Sequence, residues 1–205
     1  MPADDALRDR LVRVGAELLR TESPGALSLR EIARRAGVSH GAPRRYFPTH
    51  LALLSAIARS GFADLSAQVT TALRTAAQDP RTQITTMAHL YVRFAATNRS
   101  MFELMFRHDL LQSGGHLGLR DASLPLFRLL VDLVAAARPA AGTSAEISAA
   151  AIWAALHGTA ELWNWGSLTL AAGATDPAPF VDAILTAHLG PSEHNAAMPA
   201  PEGSR

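Results

Sequence analysis

Apolar residues recur at every third or fourth position through most of the chain, which is the spacing of one helical face; no stretch reads as a strand. Leu7, Leu11, Val14 and Leu18, widened by Val12 and Leu19, predict a first helix from Asp4 or Asp5 to Arg20. Acids near its start and Arg20 at its end suit the helix dipole, and Pro24-Gly25 breaks it. A long helix over Thr49 to Ala77 carries Leu51, Leu54, Ala58, Phe62, Leu65, Val69 and Leu73. It is long enough to cover an N-terminal core and continue into a second domain with no flexible linker. Asp79-Pro80, a cap followed by an N1 proline, opens a helix to Asn98, and Ser100 caps a short one. Leu119 to Arg138 is helical, with Pro125 at its true first turn or at a kink. Ser144 starts a hydrophobic helix through Leu170, and Asp176-Pro177 starts the last, which ends near Leu189. Gln112 to Gly118 and Pro139 to Thr143 read as breaks, the first as a mobile loop. The expectation is an all-α protein of about nine helices. A three-helix unit spans 5–65, a larger helical domain 66–189, and an aperiodic, disordered tail 190–205.

Residues 28–47 (SLREIARRAGVSHGAPRRYF) carry the most specific pattern. Ser28 followed three residues later by Glu31 is a capping box, in which the serine accepts a backbone N–H and the glutamate reaches back. Leu29, Ile32, Ala33 and Ala36 give the first short helix its inward face, and Gly37 falls where a C-terminal cap needs positive φ. Ser39 is the candidate N-cap of a second helix through Tyr46. Two short helices joined by a glycine turn have the form of a helix-turn-helix, whose second helix enters the DNA major groove. On that helix His40, Gly41 and Ala42 face base edges, the last two small enough for close backbone approach. Arg44 and Arg45 are the candidate base and phosphate contacts, one of each. Arg30 clamps backbone phosphate, whereas Arg34 and Arg35 read as solvated surface and Phe47 as structural.

Composition narrows the class. Hydrophobic residues at 48% with aromatics at 6% describe a globular, alanine-rich helical chain. No run approaches ~18 uninterrupted apolar residues, so no membrane span is expected. The acidic opening MPADDALRDR has no apolar core of a signal peptide, and zero cysteines leave no disulfide or thiolate metal site. Cytoplasm is the expected compartment. The overall charge of +1 hides a segregation: residues 1–62 hold ten arginines against six acids, a net of +4, and the rest of the chain nets −3. Cations gathered on one domain are what phosphate neutralisation requires.

This N-terminal segment, from Ala6 to Leu65, resembles the TetR family of one-component transcriptional regulators. The resemblance lies in an amphipathic helix ending near Arg20, then LSLREIARRAGVS, the aromatic pair Tyr46-Phe47, Pro48 and the LALLSAIA run. Tyr91–Phe106 and Ile152–Trp163 are similar to ligand-domain segments of a subgroup with a Trp…His-Gly signature, here Trp153, His157 and Gly158. Three positions depart from the family pattern: Arg44 stands where a tyrosine is usual, and Thr49-His50 replace an Asp-Lys pair. The resemblance implies a double-stranded DNA operator contacted by Arg30, Ser39, His40, Gly41, Ala42, Arg44, Arg45, Tyr46, Thr49 and His50. Tyr46 either reaches a phosphate or joins the core.

The resemblance also implies a homodimer built on the last two long helices and a small-molecule effector of unknown identity. Ile147–Leu170 is apolar on nearly every face and so needs cover on every face, from its own domain and a partner or from a monomeric core alone. The effector pocket is expected among Met87, Tyr91, Met101, Met105, Phe106, Phe127, Trp153, His157 and Glu161, methionines and aromatics suiting an adaptable apolar cavity. His157 and Glu161 stand four apart, as a buried pair or as polar contacts to an effector; two ligands are too few for a metal. No cofactor is expected, and with no phosphate loop, nucleophile elbow or His-Glu-x-x-His motif the chain does not read as an enzyme. The expected function is a ligand-responsive regulator, a repressor released by its effector. The alternative is a helical small-molecule binder whose helix-turn-helix no longer reads DNA.

Overall fold

A computed structural model describes residues 2–107, 118–137 and 142–191, with side chains from residue 6 onward. Residues 112–117 of the expected loop 112–118, 139–141 of the expected break 139–143 and 192–205 of the expected tail 190–205 lie outside the described residues. Ten α-helices and one 3-10 turn are described, with no strand among the described residues.

Helix α1 (Pro2–Leu18) buries Leu11 and Leu18 against the N-terminal half of α4 (His50–Thr75). Gly15 sets their separation, because a Cβ there would lie 2.3 Å from Ile57 Cδ1. After a 3-10 turn (Pro24–Ala26), α2 (Leu29–Arg35) is capped by Ser28, whose hydroxyl accepts from Glu31 N at 3.2 Å. Its end is a full Schellman motif: Val38 N–H reaches the Ala33 carbonyl, Gly37 N–H the Arg34 carbonyl, and Gly37 takes φ +68. The helix α3 (Ala42–Tyr46) follows, with Pro43 buried. Phe47 is 3% exposed beneath the Arg8 guanidinium, 5.5 Å from the ring centroid.

Helix α4, 26 residues or roughly 39 Å long, belongs to both halves of the molecule. Leu53, Leu54 and Ile57 close the N-terminal core, while Phe62, Leu65 and Val69 face the C-terminal helices. There α5 (Pro80–Thr97) is central, packing on α4, on α7 (Leu119–Ala137), on α8 (Ala145–Asn164) and on α10 (Ala178–Leu189). Caps at Asp79 and Ser144 hold as the sequence predicts, at 2.8 Å to Thr82 N and 3.3 Å to Ile147 N. The short α6 (Arg99–Met105) bridges the halves, touching α4, α5 and the 3-10 turn.

Several local expectations are corrected. Gly41 rather than Ser39 precedes α3, because the Ala42 N–H is already taken by the Ser39 carbonyl in a turn. Asn98 rather than Ser100 precedes α6, with no side-chain cap. Pro125 lies inside α7, which starts six residues earlier at Leu119, so it does not mark the first turn. The long apolar helix stops at Asn164, since Gly166 turns the chain at φ +76 before α9 (Ser167–Ala172).

Candidate functional site

The second helix of the helix-turn-helix is anchored from below and bare above. Pro43 and Phe47 point into the core, which fixes α3 in rotation, so that Arg44 and Arg45 are exposed beside His40 and Gly41. Arg30, Ser39, Thr49 and His50 are exposed on the same unit, and Ala42 is half-buried. Tyr46 is half-buried and packs against the core. Thr49 already has a role, as its hydroxyl caps α4 by accepting from Ala52 N at 3.0 Å.

Glu31 behaves differently from the capping-box expectation. Its carboxylate turns forward to Arg34, at 2.8 and 2.6 Å, and to Arg35 at 2.9 Å. Hydrogen bonds from these two guanidiniums hold its pKa down at about 2. Two of the arginines of the motif are thereby committed to an internal carboxylate. Arg30, Arg44 and Arg45 make no ion pair among the described residues, so they are the cations available to an external phosphate.

The C-terminal half holds a largely apolar cavity of about 290 Å³ that is partly open to solvent. Phe62, Leu65 and Val69 of α4 form one wall, Met87 and Tyr91 of α5 another, and Phe127 of α7 with Trp153 of α8 a third. Phe106, at the end of α6, stands edge-on to Phe62 with centroids 5.5 Å apart and 4.6 Å from the His157 ring. Polar order behind this wall comes from one chain of hydrogen bonds. Trp153 Nε1 donates to Tyr91 Oη at 3.2 Å, and Tyr91 Oη lies 2.9 Å from His157 Nδ1. Burial pushes the Tyr91 phenol pKa up and the His157 imidazole pKa down, so both groups stay neutral near pH 7.

Of the expected pocket residues, the fold brings Met87, Tyr91, Phe106, Phe127 and Trp153 to this cavity. His157 sits behind it, against Tyr91, Phe106 and Trp153 of its lining. Met101 and Met105 do not line it; their sulfurs pack over Gly61, where a Cβ would lie 2.7 Å from each. Glu161 also lies off the cavity, its carboxyl pKa raised by burial and then by neighbouring Glu103. Sequence reasoning read Phe62, Leu65 and Val69 as core alone and did not name Ser123, Leu124, Leu126, Leu130 or Ala150, which also line the cavity. An apolar residue lining an empty volume has the same helical spacing as one filling a core, so periodicity carried no signal for them.

On the outer side of α8 and α9, Ile147, Leu162, Trp165 and Leu170 are exposed, at 63%, 40%, 66% and 90%.

The fold and these two surfaces define a helix-turn-helix DNA-binding protein with an appended helical domain around an apolar chamber. The chain belongs to the TetR family: residues 11–57 match the model of the bacterial regulatory proteins of that family, and residues 84–188 match the tetracyclin repressor-like C-terminal domain. It is a DNA-binding transcriptional regulator. Among solved structures it is similar to a protein of unknown function from Rhodococcus sp. RHA1, at 31% identity and TM-score 0.76, covering 89% of this chain and 93% of that one. The fold is shared with Thermus thermophilus FadR, a TetR-family transcriptional repressor solved with lauroyl-CoA (23% identity, TM-score 0.64, 96% and 100% covered). It is shared too with RolR solved with resorcinol (20% identity, TM-score 0.63, 99% of each chain). No curated protein matches the chain.

Proposed function

We propose that the protein is a cytoplasmic homodimeric repressor that leaves its operator when a small molecule enters the apolar cavity. The observation that carries this reading is the continuity of α4. Its capped N-terminus abuts the recognition helix, and its second half is a cavity wall, with no linker between. The division into a DNA-binding domain over 5–65 and a ligand and dimer domain over 66–189 therefore falls inside one rigid element. Helix α6 gives a second connection, since Phe106 faces the cavity while the helix itself contacts α4 and the 3-10 turn of the N-terminal unit. Related folds hold lauroyl-CoA and resorcinol, which supports a small-molecule effector here. The effector must bind the released conformation more tightly, by a coupling of about 1–3 kcal/mol. Pairing through the exposed face of α8 and α9, with α10, places two recognition helices on one duplex, about 34–36 Å apart or further. Nothing in this reading requires catalysis.

The test is duplex selection from a random library, followed by affinity measured across salt. A regulator enriches a twofold-symmetric site and loses affinity steeply as salt rises, through counterion release. Weak association that is indifferent to sequence would instead establish a ligand binder whose helix-turn-helix has lost its target.

A further inference from the structure

The walls of the cavity say what can occupy it. Among its described lining residues only Tyr91, Trp153 and Ser123 carry side-chain polar atoms, and none is charged. An ionised carboxylate, phosphate or ammonium entering such a space loses its hydration with no counter-charge to replace it. Size is set by volume: an apolar cavity of about 150 Å³ accepts benzene, and this one, at about 290 Å³, is close to twice that. That corresponds to two fused rings, roughly 10–14 non-hydrogen atoms.

Polarity is set by the hydrogen-bond chain. Indole can only donate, so Tyr91 Oη accepts from Trp153 Nε1. Tyr91 Oη also shares a hydrogen bond with His157 Nδ1, donating to it when the neutral ring is protonated on Nε2 and accepting from it when the ring is protonated on Nδ1. Either tautomer leaves the hydroxyl one bonding site for an occupant, a lone pair in the first case and its hydrogen in the second. This hydroxyl, held by Trp153 and His157, is a fixed polar group in the wall of an otherwise apolar pocket.

We infer that the effector is an uncharged, two-ring apolar compound bearing one hydroxyl, and that this hydroxyl hydrogen-bonds with Tyr91 Oη. The inference rests on the proposed ligand-responsive role of this cavity. An acid of the same skeleton is excluded, and a bare hydrocarbon fits but binds less tightly.

Equilibrium dialysis of the full-length protein at neutral pH tests this with three probes of one skeleton: naphthalene, 2-naphthol and 2-naphthoate. 2-Naphthol is expected to bind about two- to tenfold tighter than naphthalene, the worth of one net hydrogen bond. 2-Naphthoate is expected at least roughly a hundredfold weaker than 2-naphthol. In Tyr91→Phe the preference for the alcohol over the hydrocarbon should fall to near one while naphthalene still binds. Naphthoate within tenfold of naphthol, equal binding of naphthol and naphthalene, or no binding of any probe to the wild-type protein overturns the inference. So does a naphthol preference that survives in Tyr91→Phe. The wild-type comparison stands whether or not the variant folds. Duplex binding by the same preparation without probes separates the two readings. Probe selectivity without DNA binding supports the inference and overturns the regulator, whereas DNA binding without probe selectivity overturns the inference alone.

Discussion

Replacing Arg44 or Arg45 by alanine asks the recognition surface a question that folding cannot answer for it. Both side chains are exposed, and the anchors that hold α3, Pro43 and Phe47, are untouched. The stability change should stay within about 0.5 kcal/mol, as for surface substitutions generally. DNA affinity should respond far more. If Arg30 and one of the two α3 arginines meet phosphates in each subunit, a dimer neutralises four, and log affinity falls with log salt at a slope of about −3.6. That is roughly a fiftyfold loss between 100 and 300 mM salt. Removing the phosphate-binding arginine takes away two contacts per dimer, so the slope should drop to about −2 on every sequence. Removing the base-reading arginine should cost about 1–3 kcal/mol per half-site and relax preference at one base position, with a smaller change of slope. Arg34→Ala is the control, because that guanidinium is held by Glu31 and should contribute little to the slope. Fluorescence anisotropy on a selected duplex reads both quantities. Unchanged affinity and slope in both variants would refute the orientation assigned to α3.

Three other perturbations are informative. Thr49→Ala removes the side-chain cap of α4 and should cost about 1 kcal/mol by urea denaturation, with DNA affinity falling no further than that loss implies; a larger fall would assign Thr49 a direct contact. Arg81→Ala removes charge-assisted bonds from its guanidinium to the Leu189 and Gly190 carbonyls, at 2.9 Å for Leu189, and should cost about 1–3 kcal/mol with weakened dimers in sedimentation; full dimer stability would show that the end of α10 is irrelevant to the interface. His157 has a folded pKa below its unfolded value of 6.5, so the unfolded chain binds the extra proton and the stability present above pH 6.5 is lost as pH falls toward the folded value. Glu161 acts oppositely: its raised pKa gives stability that is present below 4.5 and lost as pH rises through the folded value. Denaturation midpoints should therefore fall between pH 7.5 and 6 in the wild type but not in His157→Asn, and an equal fall in the variant would remove His157 as the cause.

What could be read in advance, and what could not, divides by the range of the interaction. The caps at Ser28, Asp79 and Ser144 and the Gly37 turn each depend on residues within five positions, so the chain announces them. Glu31 misled because a capping box and an i+3, i+4 ion pair compete for one carboxylate, and two arginines outweigh one backbone N–H. The break at Gly166 was hidden because the apolar run continues past it into α9. The chamber was half-legible. Its aromatic walls on α5, α7 and α8 and Met87 were named, whereas Met101 and Met105, also expected there, pack over Gly61 of α4. That close approach has a functional consequence. Phe106 can move only by moving α6 or its own rotamer, and α6 is pressed through Met101 and Met105 onto the helix that carries the recognition unit. An occupant that displaces Phe106 is therefore expected to act on α4 through the packing of α6, and close-packed contacts of this kind switch between arrangements instead of deforming gradually.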